Sequence, residues 1–284
     1  MKRVLKVIAV YVILANLNGC QTVPITGRSQ LSLFPESTMN QMSLTNYQDF
    51  LKQNPPVSLD NISAKRVFDV GKRISDAVSR YMDQNGLSDR ISGYQWEFKL
   101  VENKEVNAWC MPGGKMVVYS GIIPICKDDA GLAVVLGHEV AHAIAHHGSE
   151  RMSQQLLLQL GSSSLDAALQ KKPEQTRQIF LQAFGIGSQV GSLAYSRQHE
   201  YEADKLGLVF VAMAGYDPNR AISFWNDMSA NSSGAKPPEW LSTHPSDQNR
   251  INELVKYMPK AMKYYTAPAA ATSNVTVKKK RSVK

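Results

Sequence analysis

Apolar residues crowd one stretch of this chain almost without a break. From Gly131 to His147 it reads GLAVVLGHEVAHAIAHH, and Leu132, Ala133, Val134, Val135, Leu136, Val140, Ala141, Ile144 and Ala145 make a helix apolar nearly all round. Three ionisable side chains, His138, Glu139 and His142, are set into that run, where burial is costly unless a partner satisfies them. Elsewhere the pattern is that of ordinary amphipathic elements. Val67, Val70, Ile74, Val78 and Tyr81 predict a helix from Ser63 to Asn85, closed by Gly86. Short strands are expected at Trp96 to Val101, Val106 to Met111 and Lys115 to Ser120, with a turn at Pro112-Gly113-Gly114. The rest reads as helical: a long pair from about Glu150 to Tyr195 broken at Lys171-Lys172-Pro173, a helix carrying Glu200, then Pro218 to Ala230 and Ser246 to Tyr257. Gly161, Gly185, Gly187 and Gly191 fit either a bending cover over a cleft or close helix packing. The expected fold class is α+β, mainly helical, with a small β-sheet.

The embedded polar residues spell HEVAH. Two histidines four apart share one helical face and can reach one metal ion, while Glu139, about 100° around the helix, can face a water on that ion. An apolar helix has no other use for them, so a metal is the expected partner. His146 and His147 extend the cluster, yet Ala145 stands where a metzincin needs glycine and Gly148 where it needs histidine, which excludes that subclass. A catalytic zinc takes three protein ligands and keeps one position for water, so a third ligand must come from elsewhere. The best donor segment is SRQHEYEADKLGLVFVAMAGY. There Glu200 and Asp204 lie four apart on a helix whose apolar residues leave them room to face the first helix. Glu200 would ligate, and Asp204 would accept the free ring N–H of a ligand histidine. Glu202 is read as pointing to another side. The competing reading makes Glu200 and Glu202 ordinary solvated helix charges.

HEVAH, EYEAD, NAWCMPGGKMVVYSG and THPSDQNRI, in that set and register, resemble the zinc metallopeptidases of the HtpX and CAAX-prenyl-protease type. Within that type the chain is similar to the bacterial periplasmic lipoprotein branch that includes LoiP and BepA. The likeness runs from about Val67 to Tyr257. It implies a zincin-like metalloprotease domain holding one zinc ion per chain, with His138, His142 and Glu200 as ligands and Glu139 as general base. Asp204 is implied as the helix companion of the third ligand, and His244 and Arg250 fall on the HP-to-Arg motif near the metal. Ala194 stands where members of the family often have proline.

The N-terminus implies where such chemistry would take place. Met1-Lys2-Arg3, an apolar stretch to Leu17 and the site Leu17-Asn18-Gly19-Cys20 read as a lipoprotein signal peptide over residues 1–19, with Cys20 lipidated. Gln21 favours the outer membrane over the inner, so the expected location is the periplasmic face of the outer membrane. No later segment is long and apolar enough to span a bilayer. Residues 20–60, with Pro24, Pro35, Pro55 and Pro56, are read as a tether and packed N-terminal extension. Residues 61–265 form the protease domain and 266–284 a basic tail without apolar periodicity. That tail carries five of the basic residues behind a net charge of +8; it leans on anionic lipid or is merely a soluble end. Nucleic acid is excluded as a partner of an exported lipoprotein. Cys110 and Cys126 could pair in an oxidising compartment, but two buried free thiols are the favoured reading.

The function expected from this set is zinc-dependent endoproteolysis of unfolded or misassembled envelope proteins, with outer-membrane assembly machinery as a further partner. Extended substrate is expected to pair with an edge strand at Lys115, Met116, Val117 and Val118. His244 is read either as an oxyanion donor or as a removable fourth ligand. The rival function is a zinc-bound chaperone or assembly lipoprotein with little proteolysis, which would have no need of Glu139.

Overall fold

The computed structural model describes residues 20–160, 173–184, 186, 196–230, 240–241, 244 and 248–266. The expected signal peptide, the middle of the expected long helical pair with its four glycines, and the basic tail beyond 266 lie outside the described residues. The chain opens with a hairpin, β1 (Cys20–Thr22) antiparallel to β2 (Ser29–Leu31), and then α1 (Glu36–Gln53). Helix α2 (Ile62–Gln84) begins at Asn61, whose side chain accepts the N–H groups of Ser63 and Ala64. Three short strands follow, β3 (Glu97–Val101), β4 (Ala108–Met111) and β5 (Lys115–Tyr119). The remaining labelled elements are α3 (Asp129–Ile144), α4 (His147–Leu160), α5 (Pro173–Ala183), α6 (Arg197–Met213), α7 (Arg220–Ala230) and α8 (Gln248–Ala261). Among the described residues no helix is long and apolar enough to cross a membrane.

The sheet order is β3-β5-β4, with β5 parallel to β3 and antiparallel to β4. This corrects the expectation for Lys115, Met116, Val117 and Val118: they form the central strand, paired on both sides and buried throughout. The hairpin turn places β4 and β5 together, but alternation along one strand does not reveal that a distant strand closes its other side. The outer side of β3 is covered too, because Pro56 bridges Val101 and Val57 N–H donates to Leu100 O over 2.8 Å. The remaining edge belongs to β4. Asn107 O accepts from Tyr119 N–H and Val106 O from Trp240 N–H, so by the two-residue period Ala108 and Cys110 turn their backbone groups to that edge.

Both faces of the sheet are buried. Phe98, Leu100, Met116 and Val118 pack with α2, α3, α6, α7 and α8 into the larger core, while Trp109, Met111, Val117 and Tyr119 meet Met39 and Tyr47 of α1 and Met152, Ile179 and Phe180 of α4 and α5. The helix at Glu36–Gln53 is a firm layer of the fold, and the sequence hides it because two of its buried positions are polar, Ser43 and Asn46. Cys110 and Cys126 are buried free thiols.

One crossing positions the site. At Gly137 of α3 and Gly207 of α6 the two backbones meet so closely that a Cβ on Gly207 would lie 3.2 Å from Gly137 C and His138 N. A Cβ on Gly137 would lie 3.2 Å from Gly207 O and 2.9 Å from Val211 Cγ2. Glycine at both positions lets the helices approach and brings the faces of His138 and Glu200 together.

Candidate metal centre

Helix α3 starts at Asp128, whose carboxylate caps Gly131 N–H, and α6 at Ser196, whose hydroxyl accepts from His199 N–H. From these starts the helical repeat puts His138 and His142 on one side of the crossing and Glu200 and Asp204 on the other. His244 enters from the segment before α8. Side-chain donor atoms of His138, His142, Glu200 and His244 all lie within 4.8 Å of one another, and all four residues are buried. His142 Nε2 is 3.0 Å from His138 Nε2 and 3.4 Å from Glu200 Oε1. His244 Nδ1 is 2.9 Å from Glu200 Oε1 and 3.3 Å from His138 Nε2.

The surrounding shell holds these groups in place. His138 Nδ1 is 3.1 Å from Asp204 Oδ1. Arg250 of α8 grips Asp204 through Nε and Nη2 at 2.7 and 2.8 Å, and places Nη1 2.7 Å from Glu200 Oε2. Its guanidinium lies over the Trp225 ring, 3.6 Å from the centroid. On the other face of that arrangement Trp240 stacks against Trp225 at 5.0 Å and donates its indole N–H to Glu139 Oε1 over 2.7 Å. His244 Nε2 stands 3.5 Å from the same carboxylate oxygen. The structure thus brings together His138, Glu139, His142, Glu200, Asp204, His244 and Arg250, and leaves the strand Lys115–Tyr119 as a central sheet element.

Electrostatics test whether a metal suits these residues. Three buried carboxylates, Glu139, Glu200 and Asp204, face Arg250 as the permanent cation among the described residues at the site. That leaves two negative charges, the complement of a divalent ion. Burial works against any charge on His138, yet bonds to Asp204 and Glu200 overcome it and push its pKa up to about 9, a sign of missing positive charge. Burial raises Glu139 above the usual carboxylate range against the pull of His244 and His138, which suits a proton acceptor. Burial would raise Glu200 too, but His244 and Arg250 hold it well below that range, as a ligand carboxylate needs. Two imidazole Nε2 atoms aimed at one buried point complete the case. The residues present fit a metal held by two histidines and a glutamate.

Sequence reasoning misses two further groups. Trp240 gives little signal, being one tryptophan in a proline-rich stretch. His147 and Glu202 are also buried, with His147 Nδ1 2.9 Å from His142 Nδ1 and His147 Nε2 3.0 Å from Glu202 Oε2. Glu202 does point away from the ligand cluster, as read from the sequence, but it is buried on His147, Thr26 and Arg28 and is not a solvated helix charge. Burial drives His147 down to about 4 despite its bond to Glu202. Burial would raise Glu202, but bonds from His147, Thr26 and Arg28 outweigh it and draw the carboxyl down to about 2.

Comparison with known proteins finds metallopeptidases among the relatives of this chain. Mitochondrial metalloendopeptidase OMA1 of Schizosaccharomyces pombe is 30% identical over 244 residues, covering 84% of this chain and 66% of the relative. Human metalloendopeptidase OMA1 is 31% identical over 246 residues, covering 84% and 46%. The β-barrel assembly-enhancing protease of Yersinia pestis is 30% identical over 166 residues, 56% of this chain and 33% of that one. The chain therefore spans about half to two thirds of the length of the two OMA1 relatives. The mitochondrial enzymes were not among the resemblances read from the motifs. The model of peptidase family M48 matches residues 71–258, a span that takes in both sides of the α3–α6 crossing as well as His244 and Arg250; the chain belongs to peptidase family M48.

Proposed function

We propose that this protein is a zinc-dependent endopeptidase that cuts unfolded or misassembled polypeptide, and that it works lipid-anchored at Cys20 on the periplasmic face of the outer membrane. The observation that carries the reading is the convergence of His138, His142 and Glu200 within 4.8 Å beside a buried Glu139. Zinc held by those three residues supplies Lewis-acid activation of water and polarisation of the scissile carbonyl. Glu139 takes the proton of the attacking water and returns it to the leaving amine, with its Oε1 fixed by Trp240 Nε1–H. Asp204 and Arg250 hold His138 and Glu200 in their orientations. Substrate adds along β4, where Cys110 and the carbonyl of Ala108, whose N–H is held by Asn107 Oδ1, face the edge beside α3. Such main-chain pairing asks for an extended chain and little sequence, as a quality-control protease requires.

His244 is the fourth member of the same cluster, and with a metal bound it would cap the ion in a resting form; Trp240, whose backbone N–H is tied to Val106 O beside β4, would hold it there. The address at the outer membrane is supported by the Leu17-Asn18-Gly19-Cys20 site and by the similarity to the Yersinia pestis protease, whose name ties it to β-barrel assembly. Hydrolysis of casein by the purified chain tests the reading. Glu139→Gln is expected to lower turnover by roughly 10²–10⁴ with zinc retained; undiminished turnover would remove Glu139 from the chemistry, and envelope function surviving the loss would favour a chaperone.

A further inference from the structure

We propose that His147 and Glu202, held by the N-terminal hairpin through Thr26 and Arg28, form a positioning chain that orients the ligand His142. The inference rests on His142 being a metal ligand. With Nε2 of His142 turned to the metal point, the proton of its neutral ring sits on Nδ1, 2.9 Å from His147 Nδ1. Two ring nitrogens at that separation share one proton, so His142 donates and His147 accepts. The proton of His147 is then on Nε2, where Glu202 Oε2 accepts it over 3.0 Å. Any other tautomer of His147 would set N–H against N–H in a buried place, which is the costly alternative.

Glu202 is fixed in its turn. The Thr26 hydroxyl donates to Oε1 and Arg28 Nε to Oε2 over 2.7 Å. Both residues belong to the loop that joins β1 to β2. Arg28 also binds Glu150 of α4 through Nη2 and Nη1 at 2.8 and 3.1 Å, and Glu150 Oε2 is 3.1 Å from His199 Nε2. The His199 ring stacks on His147 with centroids 4.4 Å apart, so His147 is clamped from its face as well as its edges. A cavity of about 380 Å³ lined by Thr26, Arg28, Tyr201, Glu202 and Lys205 brings solvent to the outer end of the chain.

A carboxylate behind a metal-bound histidine fixes its tautomer and ring plane, and its loss typically costs about 10–100-fold in metal affinity. Here a second histidine stands between carboxylate and ligand. The hairpin that begins at Cys20 thereby joins the metal centre, although it lies outside the family's matched segment.

Zinc affinity by competition with a chromophoric chelator, together with the visible bands of the cobalt-substituted protein, tests this on the purified chain. His147→Leu, which offers no acceptor, is expected to weaken zinc binding by about 10–100-fold and to shift the cobalt bands. His147→Asn, whose Oδ1 can replace Nδ1, is expected to recover most of both. Arg28→Gln combined with Thr26→Val, at the accessible end, is expected to weaken binding by a smaller factor with unchanged far-ultraviolet circular dichroism. Wild-type affinity and bands in folded His147→Leu would overturn the proposal. If that variant does not fold, the hairpin double variant decides: weaker zinc binding supports the chain and unchanged binding overturns it. A wild-type chain that takes up no zinc would instead remove the metal-centre reading itself.

Discussion

At the residue scale the site was legible where chemistry demands a fixed spacing. HEVAH on an apolar helix announces two ligands and a base, because a helix repeats its faces every three to four residues and buried imidazoles need a partner. Residues that act from other segments leave weaker marks. Trp240 reaches Glu139 across 101 positions, and His147 serves His142 from the start of the next helix, so neither is set by a local period. His244 is the residue whose removal tells most about regulation. With its Nδ1 within the cluster of donor atoms and its Nε2 3.5 Å from Glu139, His244 would cap a bound metal, so basal casein cleavage is expected to rise severalfold in His244→Ala. A fall of about 10²–10³ with zinc content unchanged would assign it to oxyanion stabilisation instead.

At the scale of elements the sequence predicted α2 within one residue at each end and the three strands within two, since their apolar positions keep a clean period. It missed α1 and the place of β5. Strand order is a long-range property: β3 reaches β5 in parallel register, and nothing in either strand's alternation encodes that neighbour. That α6 faces α3 was legible from Glu200 and Asp204, but the closeness of their crossing was not, and Gly137 and Gly207 are what permits it. A larger residue there must push the helix backbones away from each other. Gly207→Val is expected to lower stability by about 1–3 kcal/mol in urea denaturation and to weaken zinc binding at the same time, because His138 and Glu200 sit on opposite sides of the same contact. Wild-type stability and zinc affinity in that variant would mean that the helices do not meet there.

At the scale of the whole molecule, the N-terminal extension and the catalytic helices fold as one interlocked body. At the end of α3, His146 Nδ1 lies 3.0 Å from Glu36 Oε1 at the start of α1, with Arg90 Nη2 3.4 Å from the same ring nitrogen. Burial pushes Glu36 up to about 7 against the pull of Arg90, and burial with Arg90 lowers His146 to about 3. Between about pH 4.5 and 6.5 the pair holds one proton in either state, on Glu36 when folded and on His146 when unfolded, so it adds no slope to stability. Below about 4.5 the unfolded chain binds a second proton first, and stability falls towards pH 3. Glu36→Gln leaves the histidine alone. Its stability relative to wild type is therefore expected to rise with pH from about 4.5 to 6.5, as urea midpoints across that range would read; a flat difference would contradict the pairing. Above all of this stand the metal and its use. The most direct measurement strips the purified chain with a chelator, then titrates zinc back while following casein cleavage and bound metal together. Cleavage returning in step with about one zinc per chain, and neither returning in Glu200→Ala, is the expected result; cleavage that persists without metal, or full zinc uptake by Glu200→Ala, would contradict it.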